Sequence, residues 1–285
     1  MNEELFGSSF IPKIKMKIIT IATELGFAEA PLWHPEGFLL FSDVTKNRIM
    51  KWQDGILETF LENSGIQTKP TKFHSEHIGA NGLAIDFNGN LIFCQHGNHA
   101  IARLLPNGKI EILVNSYQGK PLNSPNDLCI GPDGSIYFTD PPYGLKEQKL
   151  LPTFAQSSAG VYRWHQGNLE LLVNELQFPN GICFSPDYKF MYVSTIHKTE
   201  KGIRKYEIID GKFKNGKIFV NENADGIKTD QNGNLFLATM QGIKIVSPKG
   251  EIVCKIPTPD MTTNLCLNKH TIYITTPKTV YHTTA

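Results

Sequence analysis

The fold of this chain is decided by the stretch SPNDLCIGPDGSIYFTDPPYG, residues 124–144. An Asn-Asp pair, Asn126 and Asp127, precedes a short apolar run, and the sequence GPDG follows that run. In GPDG the proline presets φ, the aspartate caps the turn, and the glycine supplies the positive φ that closes a hairpin. A second β-rich run, IYFT, then ends at Asp140. The stretch therefore predicts a β-hairpin with polar residues at its open end.

The same order of a polar residue, an apolar run, a turn and a second apolar run occurs five more times. The copies follow one another at intervals of roughly 40–55 residues, which is typical of the blades of a β-propeller. The other copies occupy residues 29–41, 81–93, 180–192, 225–237 and 263–274. Six copies predict an all-β, six-bladed β-propeller with four antiparallel strands in each blade.

The two ends of the chain are predicted to close the ring. Residues 15–24 (KMKIITIATE) alternate like a strand but precede the first copy, and the sixth copy leaves too little sequence for a full fourth strand before Ala285. We expect the N-terminal strand to complete the last blade, which removes an exposed sheet edge. Residues 15–285 would then form one propeller domain behind a flexible arm of residues 1–14.

The composition argues against several classes of partner. The chain carries a formal net charge of +1 and no basic cluster, so neither nucleic acid nor an anionic membrane is expected as a partner. No apolar run approaches the ~20 residues of a membrane span. The N-terminus lacks the order of a secretory signal, which favours a cytoplasmic protein, and we expect a monomer or a weak homodimer. An odd number of cysteines without CxxC spacing predicts buried free thiols.

The first residue of each copy is predicted to face the central tunnel, because the innermost strand of each propeller blade lines it. All six of these residues carry a side-chain oxygen: Glu29, Asn81, Asn126, Asn180, Asp225 and Thr263. Hard divalent cations prefer cages of carboxylate and amide oxygens. An Asn-Gly or Asp-Gly before a strand is by itself usually only a turn. Because turn chemistry does not require a glutamate at position 29 and six positions agree, we interpret the ring as a metal site.

A second set of residues is predicted to lie at the rim of the tunnel, because the second strand of each hairpin runs back towards the start of the first. His96 follows the second strand of one copy, and Tyr143 follows that of another after Asp140 and two prolines. Both side chains should therefore stand near the ring of oxygen donors. For His96 the alternative is a loop histidine in solvent.

Several short motifs resemble the senescence marker protein/gluconolactonase superfamily, which also includes diisopropyl fluorophosphatase. They are NGL at 81–83, CQHGN at 94–98, NSPND at 123–127, FTDPPYG at 138–144, PNGI at 179–182 and ADGI at 224–227. The resemblance implies a six-bladed propeller with one catalytic divalent metal ion held by Glu29, Asn180 and Asp225. Ca²⁺ is the expected ion, and Mg²⁺, Mn²⁺ or Zn²⁺ are alternatives.

The resemblance also implies roles for individual residues. Asn126 and Asp127 match the element of the family that contacts substrate, and in some members the counterpart of Asn126 also touches the metal. The counterpart of Asp225 is commonly given a role in proton transfer as well as in metal binding.

The chain departs from the family in two places. Ser124 stands where animal members carry an arginine, so orientation of the substrate by a guanidinium is not expected. Lys228 and Cys266 are the nearest equivalents of the residues that hold a second, structural calcium in the fluorophosphatase branch. Neither is a calcium ligand, so we expect only one metal ion.

The function predicted from the sequence is that of a metal-dependent hydrolase that opens a sugar lactone, gluconolactone-like, to the aldonic acid. Asp127 or Asp225 would accept a proton from the attacking water. The residues expected to bind the substrate are Asn81, His96, Asn126 and Tyr143. The sequence contains no GxSxG nucleophile motif, which favours a metal route over an acyl-enzyme. The alternatives are a phosphotriesterase on the same metal and a non-catalytic propeller that binds calcium or a protein partner, although an interaction scaffold does not need an oxygen donor in every blade.

Overall fold

Six sheets of four antiparallel strands form the blades of a β-propeller, which confirms the predicted fold. The computed structural model describes residues 16–196 and 200–284. The predicted flexible arm, residues 1–14, lies outside the described residues. No helix in the described part of the chain is long and apolar enough to cross a membrane. The cysteines are free thiols, four of them buried and Cys129 half-buried.

The strands are numbered in chain order, and each blade is given from its innermost strand outwards. Strand β1 (Lys17–Ala22) belongs to the last blade. Blade 1 is β2 (Ala28–His34), β3 (Phe38–Asp43), β4 (Arg48–Gln53) and β5 (Ile56–Glu62), and blade 2 is β6 (Ala80–Ile85), β7 (Leu91–Gln95), β8 (Ala100–Leu104) and β9 (Ile110–Val114). A small hairpin of β10 (Ser116–Tyr117) and β11 (Lys120–Pro121) follows. Blade 3 is β12 (Leu128–Ile130), β13 (Ile136–Asp140), β14 (Gly160–His165) and β15 (Asn168–Val173), with a 3-10 helix at Lys146–Gln148 between its second and third strands.

The remaining blades continue the same order. Blade 4 is β16 (Pro179–Phe184), β17 (Phe190–Thr195), β18 (Ile203–Ile209) and β19 (Lys212–Val220), and blade 5 is β20 (Ile227–Thr229), β21 (Leu235–Thr239), β22 (Gly242–Val246) and β23 (Ile252–Ile256). Blade 6 is β24 (Asn264–Asn268), β25 (Thr271–Thr275) and β26 (Val280–Thr284), completed by β1.

The N-terminal strand closes the ring, as predicted. Strand β1 pairs antiparallel with β26, from Lys17 opposite Thr284 to Ala22 opposite Val280. The outermost strand of blade 6 therefore comes from the opposite end of the chain from its three inner strands. This pairing covers an edge of β26 that would otherwise expose unpaired backbone groups.

The hydrophobic core lies between neighbouring blades. One cluster, for example, joins Phe41 and Met50 of blade 1 to Tyr273 and Val280 of blade 6. Phe41 and Val280 are fully buried there. Because each interface is packed with side chains of this kind, the innermost strands are held in a fixed ring around the tunnel.

A β-bulge, in which two residues oppose one on the next strand, stands immediately before the innermost strands of blades 3 and 5. The Asn126 N–H donates to Thr139 O (2.8 Å), while the Thr139 N–H donates to Asp127 O (3.0 Å). In blade 5 the Asp225 N–H likewise donates to Ala238 O, while the Ala238 N–H donates to Gly226 O. The register shifts at the equivalent point of blades 1, 2 and 4. A bulge bends a strand and changes the direction of its side chains. In this protein the bulge includes the first residue of each copy, at the wall of the tunnel.

The glycine of the Asn-Gly motifs is required by the contact between blades. Gly82 donates its N–H to Asn126 O (2.7 Å), and a Cβ on Gly82 would lie 2.7 Å from that same oxygen. Neither Gly82 nor Gly181 has a positive φ. The glycine of these motifs therefore serves the close approach of the next blade and not a turn that needs positive φ.

Candidate active site

A cavity of about 480 Å³ brings together the predicted site residues of five blades. Its size is in the range of sites that enclose a whole small molecule. The predicted residues that line it are Glu29, Asn81, His96, Asn126, Tyr143, Asn180 and Asp225. Asp127 and Thr263 are not among the lining residues.

A chain of hydrogen bonds joins the amides of the cavity. One hydrogen of the Asn81 amide faces His96 Nε2 (3.4 Å), and this amide also donates to Asn126 Oδ1 (2.9 Å). The Asn126 amide donates to Asn180 Oδ1 (2.8 Å), and the Asn180 amide donates to the Tyr143 hydroxyl (3.3 Å). The chain fixes which way each amide points. Since a carbonyl oxygen has two lone pairs, Asn180 Oδ1 keeps one acceptor position for a further partner.

His96 is the neutral acceptor at one end of this chain. Its side chain is 1% exposed, so it is not a loop histidine in solvent. Its Nδ1 lies 3.2 Å from His77 O and must donate there, which leaves Nε2 free to accept from Asn81. Burial lowers the pKa of His96 to about 3, so the ring stays neutral at physiological pH. His96 therefore orients amides rather than carrying charge.

Two carboxylates face the same cavity. Glu29 is buried and accepts hydrogen bonds at Oε2 from the Ala30 N–H (2.8 Å) and the Asn264 amide (3.1 Å). Burial raises the pKa of Glu29 to about 7. Burial, followed by the nearby charge of Glu29, raises the pKa of Asp225 well above its usual value. Two buried carboxylates that oppose each other's ionisation are a pair that a bound cation would stabilise in the charged form.

The donor set of the cavity fits a hard divalent cation. Glu29, Asp225 and Asn180 Oδ1 offer two carboxylates and one amide oxygen, with no thiol or imidazole required. Nowhere in residues 16–196 and 200–284 do three or more His, Cys, Asp or Glu side chains form a metal-binding group. That finding is compatible with this donor set, because its third oxygen belongs to an amide.

Asp127 occupies a different place from the one predicted. Its Oδ2 lies 3.3 Å from Lys228 Nζ, and its Oδ1 accepts the Leu128 N–H (2.9 Å). It is the second residue of the bulge, and its side chain is not among those that line the cavity. Of the two carboxylates predicted to accept a proton, only Asp225 stands in the cavity wall.

In the sixth blade the predicted ring position is wrong. The Thr263 hydroxyl donates to Ala28 O (2.8 Å), so it serves the contact between blades 6 and 1. Its neighbour Asn264 reaches the site instead, through the hydrogen bond to Glu29. Asn264 stands one residue after the start of its copy, the place of Asp127 in blade 3. The repeat therefore carried no signal that would have identified it, because the same offset in blade 3 takes Asp127 to Lys228.

Comparison with known proteins agrees with the propeller fold. The family described as SMP-30/Gluconolactonase/LRE-like region matches residues 27–278. This chain belongs to that family. The membership confirms the resemblance carried by the six short motifs.

Relatives of the chain include two gluconolactonases and a regucalcin. A gluconolactonase from Zymomonas mobilis is 32% identical over 254 residues, which span 84% of this chain and 71% of that protein. A solved gluconolactonase structure from Xanthomonas campestris has a TM-score of 0.84 at 29% identity and covers 94% of this chain and 89% of its own. A calcium-binding regucalcin from Agrobacterium tumefaciens has a TM-score of 0.74 at 13% identity, over 94% of each chain, which shows the shared fold alone.

Two aspartates that sequence reasoning left without a role hold the site residues of this family member in place. Asp43 Oδ1 accepts the N–H groups of Gly26 (2.8 Å) and Phe27 (3.1 Å), just before Glu29. The Asp140 carboxylate accepts two consecutive N–H groups, of residues 123 and 124, each at 2.8 Å, just before Asn126. Both aspartates end the second strand of their blade, in the matching sequences FSD and FTD. Each clamps the backbone that leads into a site residue.

The mouth of the cavity consists of residues that lie outside the repeat and were not predicted as site residues. They are Phe27, His77, Gln148, Phe178 and Ile196. All five lie outside the strands, in connecting segments that differ from one blade to the next. Because these segments do not follow the repeat, the sequence pattern that identified the floor carries no information about them.

The pair formed by Lys228 and Asp127 makes a test of stability. Lys228 is 28% exposed and Asp127 4% exposed at their side chains. Removing one partner of a buried ion pair leaves the other charge uncompensated, which costs about 3–5 kcal/mol when burial is complete. With the partial exposure of Lys228, Lys228→Met should lower the free energy of unfolding in urea by about 2–3 kcal/mol.

Two further variants complete this test. Adding Asp127→Asn to Lys228→Met should restore most of the loss, because the uncompensated charge disappears while the bond to the Leu128 N–H remains possible. Lys189→Met, at an exposed pair with Asp187, should change the free energy of unfolding by less than about 1 kcal/mol. Equal destabilisation of the single and double variants would contradict a buried ion pair.

Proposed function

We propose that this lactonase-type hydrolase opens a sugar lactone, gluconolactone-like, to the aldonic acid with the help of one divalent metal ion. The lactonase class follows from the family and from the gluconolactonase relatives. The observation that carries the metal-dependent reading is the group of Glu29, Asn180 and Asp225 in one cavity. We assign these three residues as the metal ligands and Ca²⁺ as the expected ion.

The metal assignment rests on the chemistry of the donors. When bound, the ion would polarise the lactone carbonyl and stabilise the negative charge that develops on its oxygen. Ca²⁺ is assigned because it takes carboxylate and amide oxygens as ligands in flexible geometries. Mg²⁺, Mn²⁺ and Zn²⁺ remain alternatives, because oxygen cages accept them as well.

Asp225 is assigned as the proton acceptor. It is the carboxylate of the predicted catalytic pair that reaches the cavity, whereas Asp127 is bound to Lys228. A water oxygen attacks the carbonyl carbon while Asp225 takes the proton. As the bond between the carbonyl carbon and the ring oxygen breaks, the ring oxygen receives that proton and becomes the new hydroxyl of the aldonic acid.

The remaining polar residues are assigned to substrate binding. Asn81, Asn126 and Tyr143 present amide and hydroxyl groups whose orientation is set by the hydrogen-bond chain that begins at His96. Preset orientation lowers the cost of ordering the site when substrate binds. The small-molecule substrate of this reaction would therefore bind at the floor of the cavity. A cytoplasmic location and a monomer or weak homodimer stay predictions from the sequence.

The ligand assignment is tested by comparing two asparagines that share a register. Asn180→Ala should weaken Ca²⁺ binding, and excess Ca²⁺ should partly restore its rate of lactone hydrolysis. Asn126→Ala should bind Ca²⁺ nearly as tightly but lose kcat/KM irrespective of the Ca²⁺ concentration. The expected loss is that of one buried hydrogen bond, about 1–3 kcal/mol or roughly 5- to 150-fold.

The measurement is hydrolysis of δ-gluconolactone by each variant during a Ca²⁺ titration. Asn88→Ala is the control, because Asn88 is an exposed turn residue outside the cavity. Rescue of Asn126→Ala by Ca²⁺ would make Asn126 a fourth ligand. Absence of lactone hydrolysis in the metal-loaded wild type would overturn the proposed function.

A further inference from the structure

The cavity is polar at its floor and apolar along part of its mouth. The floor consists of amides and carboxylates, with Asn81, Asn126 and Asn180 at its centre. The apolar side chains at the mouth are Phe27, Phe178 and Ile196. The ring of Tyr143 extends this surface, since it lies 5.9 Å from the ring of Phe178.

The polar residues at the mouth are turned towards each other. Gln148 Nε2 lies 3.3 Å from His77 Nδ1. The His77 ring also packs edge-on against Phe27, with 5.0 Å between the ring centroids. Burial lowers the pKa of His77, so the ring is neutral and offers no charge to a ligand at physiological pH. These contacts leave the apolar surface as the main feature that an entering molecule meets above the floor.

This division limits what a buried substrate can carry. A buried hydroxyl without a partner loses the hydrogen bonds that it made with water. The free-energy cost of this loss is larger than the net stabilisation that one ordinary hydrogen bond provides. A ring with hydroxyls on every carbon would place some of them against Phe27, Phe178 and Ile196. An alkyl group in the same place would instead remove apolar surface from water on both sides of the contact.

We propose that the preferred substrates are lactones that carry an alkyl substituent on the ring. The carbonyl would lie at Glu29, Asn180 and Asp225, and the alkyl group would lie against Phe27, Phe178 and Ile196. This inference rests on the proposed lactonase reaction and extends its substrates beyond sugar lactones to lactones with an alkyl substituent. Fully hydroxylated sugar lactones are accepted by the floor but are not favoured by the mouth.

The test is a series of δ-lactones of increasing chain length, assayed with the full chain loaded with Ca²⁺. The series consists of δ-valerolactone, δ-hexalactone, δ-octalactone and δ-decalactone, with δ-gluconolactone as the hydroxylated reference. Burial of one methylene between two apolar surfaces corresponds to about fourfold in affinity, and contact on one side to about twofold. The value of kcat/KM should therefore rise roughly two- to fourfold per added carbon, and δ-decalactone should exceed δ-gluconolactone.

Variants at the mouth show whether this surface causes the trend. Phe178→Ala and Ile196→Ser should each flatten the rise per added carbon. Ile196 is 38% exposed, so its substitution should fold even if that of Phe178 does not. Phe87→Ala is the matched control, because Phe87 is 73% exposed and does not line the cavity. Phe87→Ala should change neither the increase in kcat/KM per added carbon nor the rates of hydrolysis.

The outcomes separate this inference from the function on which it rests. The inference is overturned if kcat/KM does not rise along the series in the wild type, or if the rise persists in both Phe178→Ala and Ile196→Ser. Hydrolysis of δ-gluconolactone would in that case still support the lactonase function. Hydrolysis of none of the lactones overturns both. A rise that is lost in Phe178→Ala or Ile196→Ser and kept in Phe87→Ala supports the alkyl-lactone assignment.

Discussion

Asp225→Asn should lower kcat for lactone hydrolysis by about 10³-fold or more while leaving the fold intact. The substitution removes the group assigned to accept the proton, and general-base catalysis typically contributes 10²–10⁴-fold. It also takes one negative charge out of the proposed metal cage. Asparagine has nearly the same volume as aspartate. Because burial and Glu29 raise the pKa of Asp225, loss of its charge should not destabilise the metal-free protein.

The measurement combines kcat with the thermal midpoint, each with and without Ca²⁺. Glu29→Gln serves as the companion variant, since it removes a charge from the same cage without removing the proposed base. It should also abolish turnover, through loss of metal binding. A rate for Asp225→Asn within tenfold of the wild type would contradict the assignment of Asp225. Loss of activity in Glu29→Gln with unchanged metal content would count against Glu29 as a ligand.

Deletion of residues 1–24 should unfold or aggregate the protein. It removes β1, which pairs with β26 from Lys17 to Ala22 and covers its edge. Met16 and Ile18 pack against the cluster between blades 5 and 6, and Ala22 belongs to the cluster between blades 6 and 1. The loss of a whole strand should cost about 5 kcal/mol or more, which is comparable with the total stability of many domains.

The matched control is deletion of residues 1–14, which keeps β1 whole and should be tolerated. Thermal unfolding and size-exclusion chromatography of the two truncations give the comparison. Equal thermal stability of the two proteins would show that β1 does not close the ring. The domain boundary near residue 15 remains a prediction until that experiment is done.

The blades and most of the cavity floor could be predicted from the sequence because the repeat is local. Each copy contains its own turn residues and its own apolar runs, so the strands and their order follow from short-range chemistry. The ring then follows from counting copies. In this way Glu29, Asn180 and Asp225 could be placed in one cavity although they stand far apart in the chain.

The errors came from the bulge at the start of the innermost strands. In a regular strand, side chains alternate between the two faces, but a bulge places two residues opposite one and breaks that alternation. The pattern therefore could not tell that Asp127 turns to Lys228 rather than to the cavity, or that Asn264 reaches Glu29 in place of Thr263. Phe27, Phe178 and Ile196 were missed for a different reason, since they lie in segments outside the repeat.

The most direct measurement of the central claim is metal content together with activity in one preparation. The wild-type protein is stripped with a chelator, its metal content is measured by atomic emission, and Ca²⁺ is returned in a calorimetric titration. We expect no hydrolysis of δ-gluconolactone in the stripped protein and full recovery at one Ca²⁺ per chain. Undiminished hydrolysis by protein without detectable metal would contradict the proposed metal-dependent lactonase.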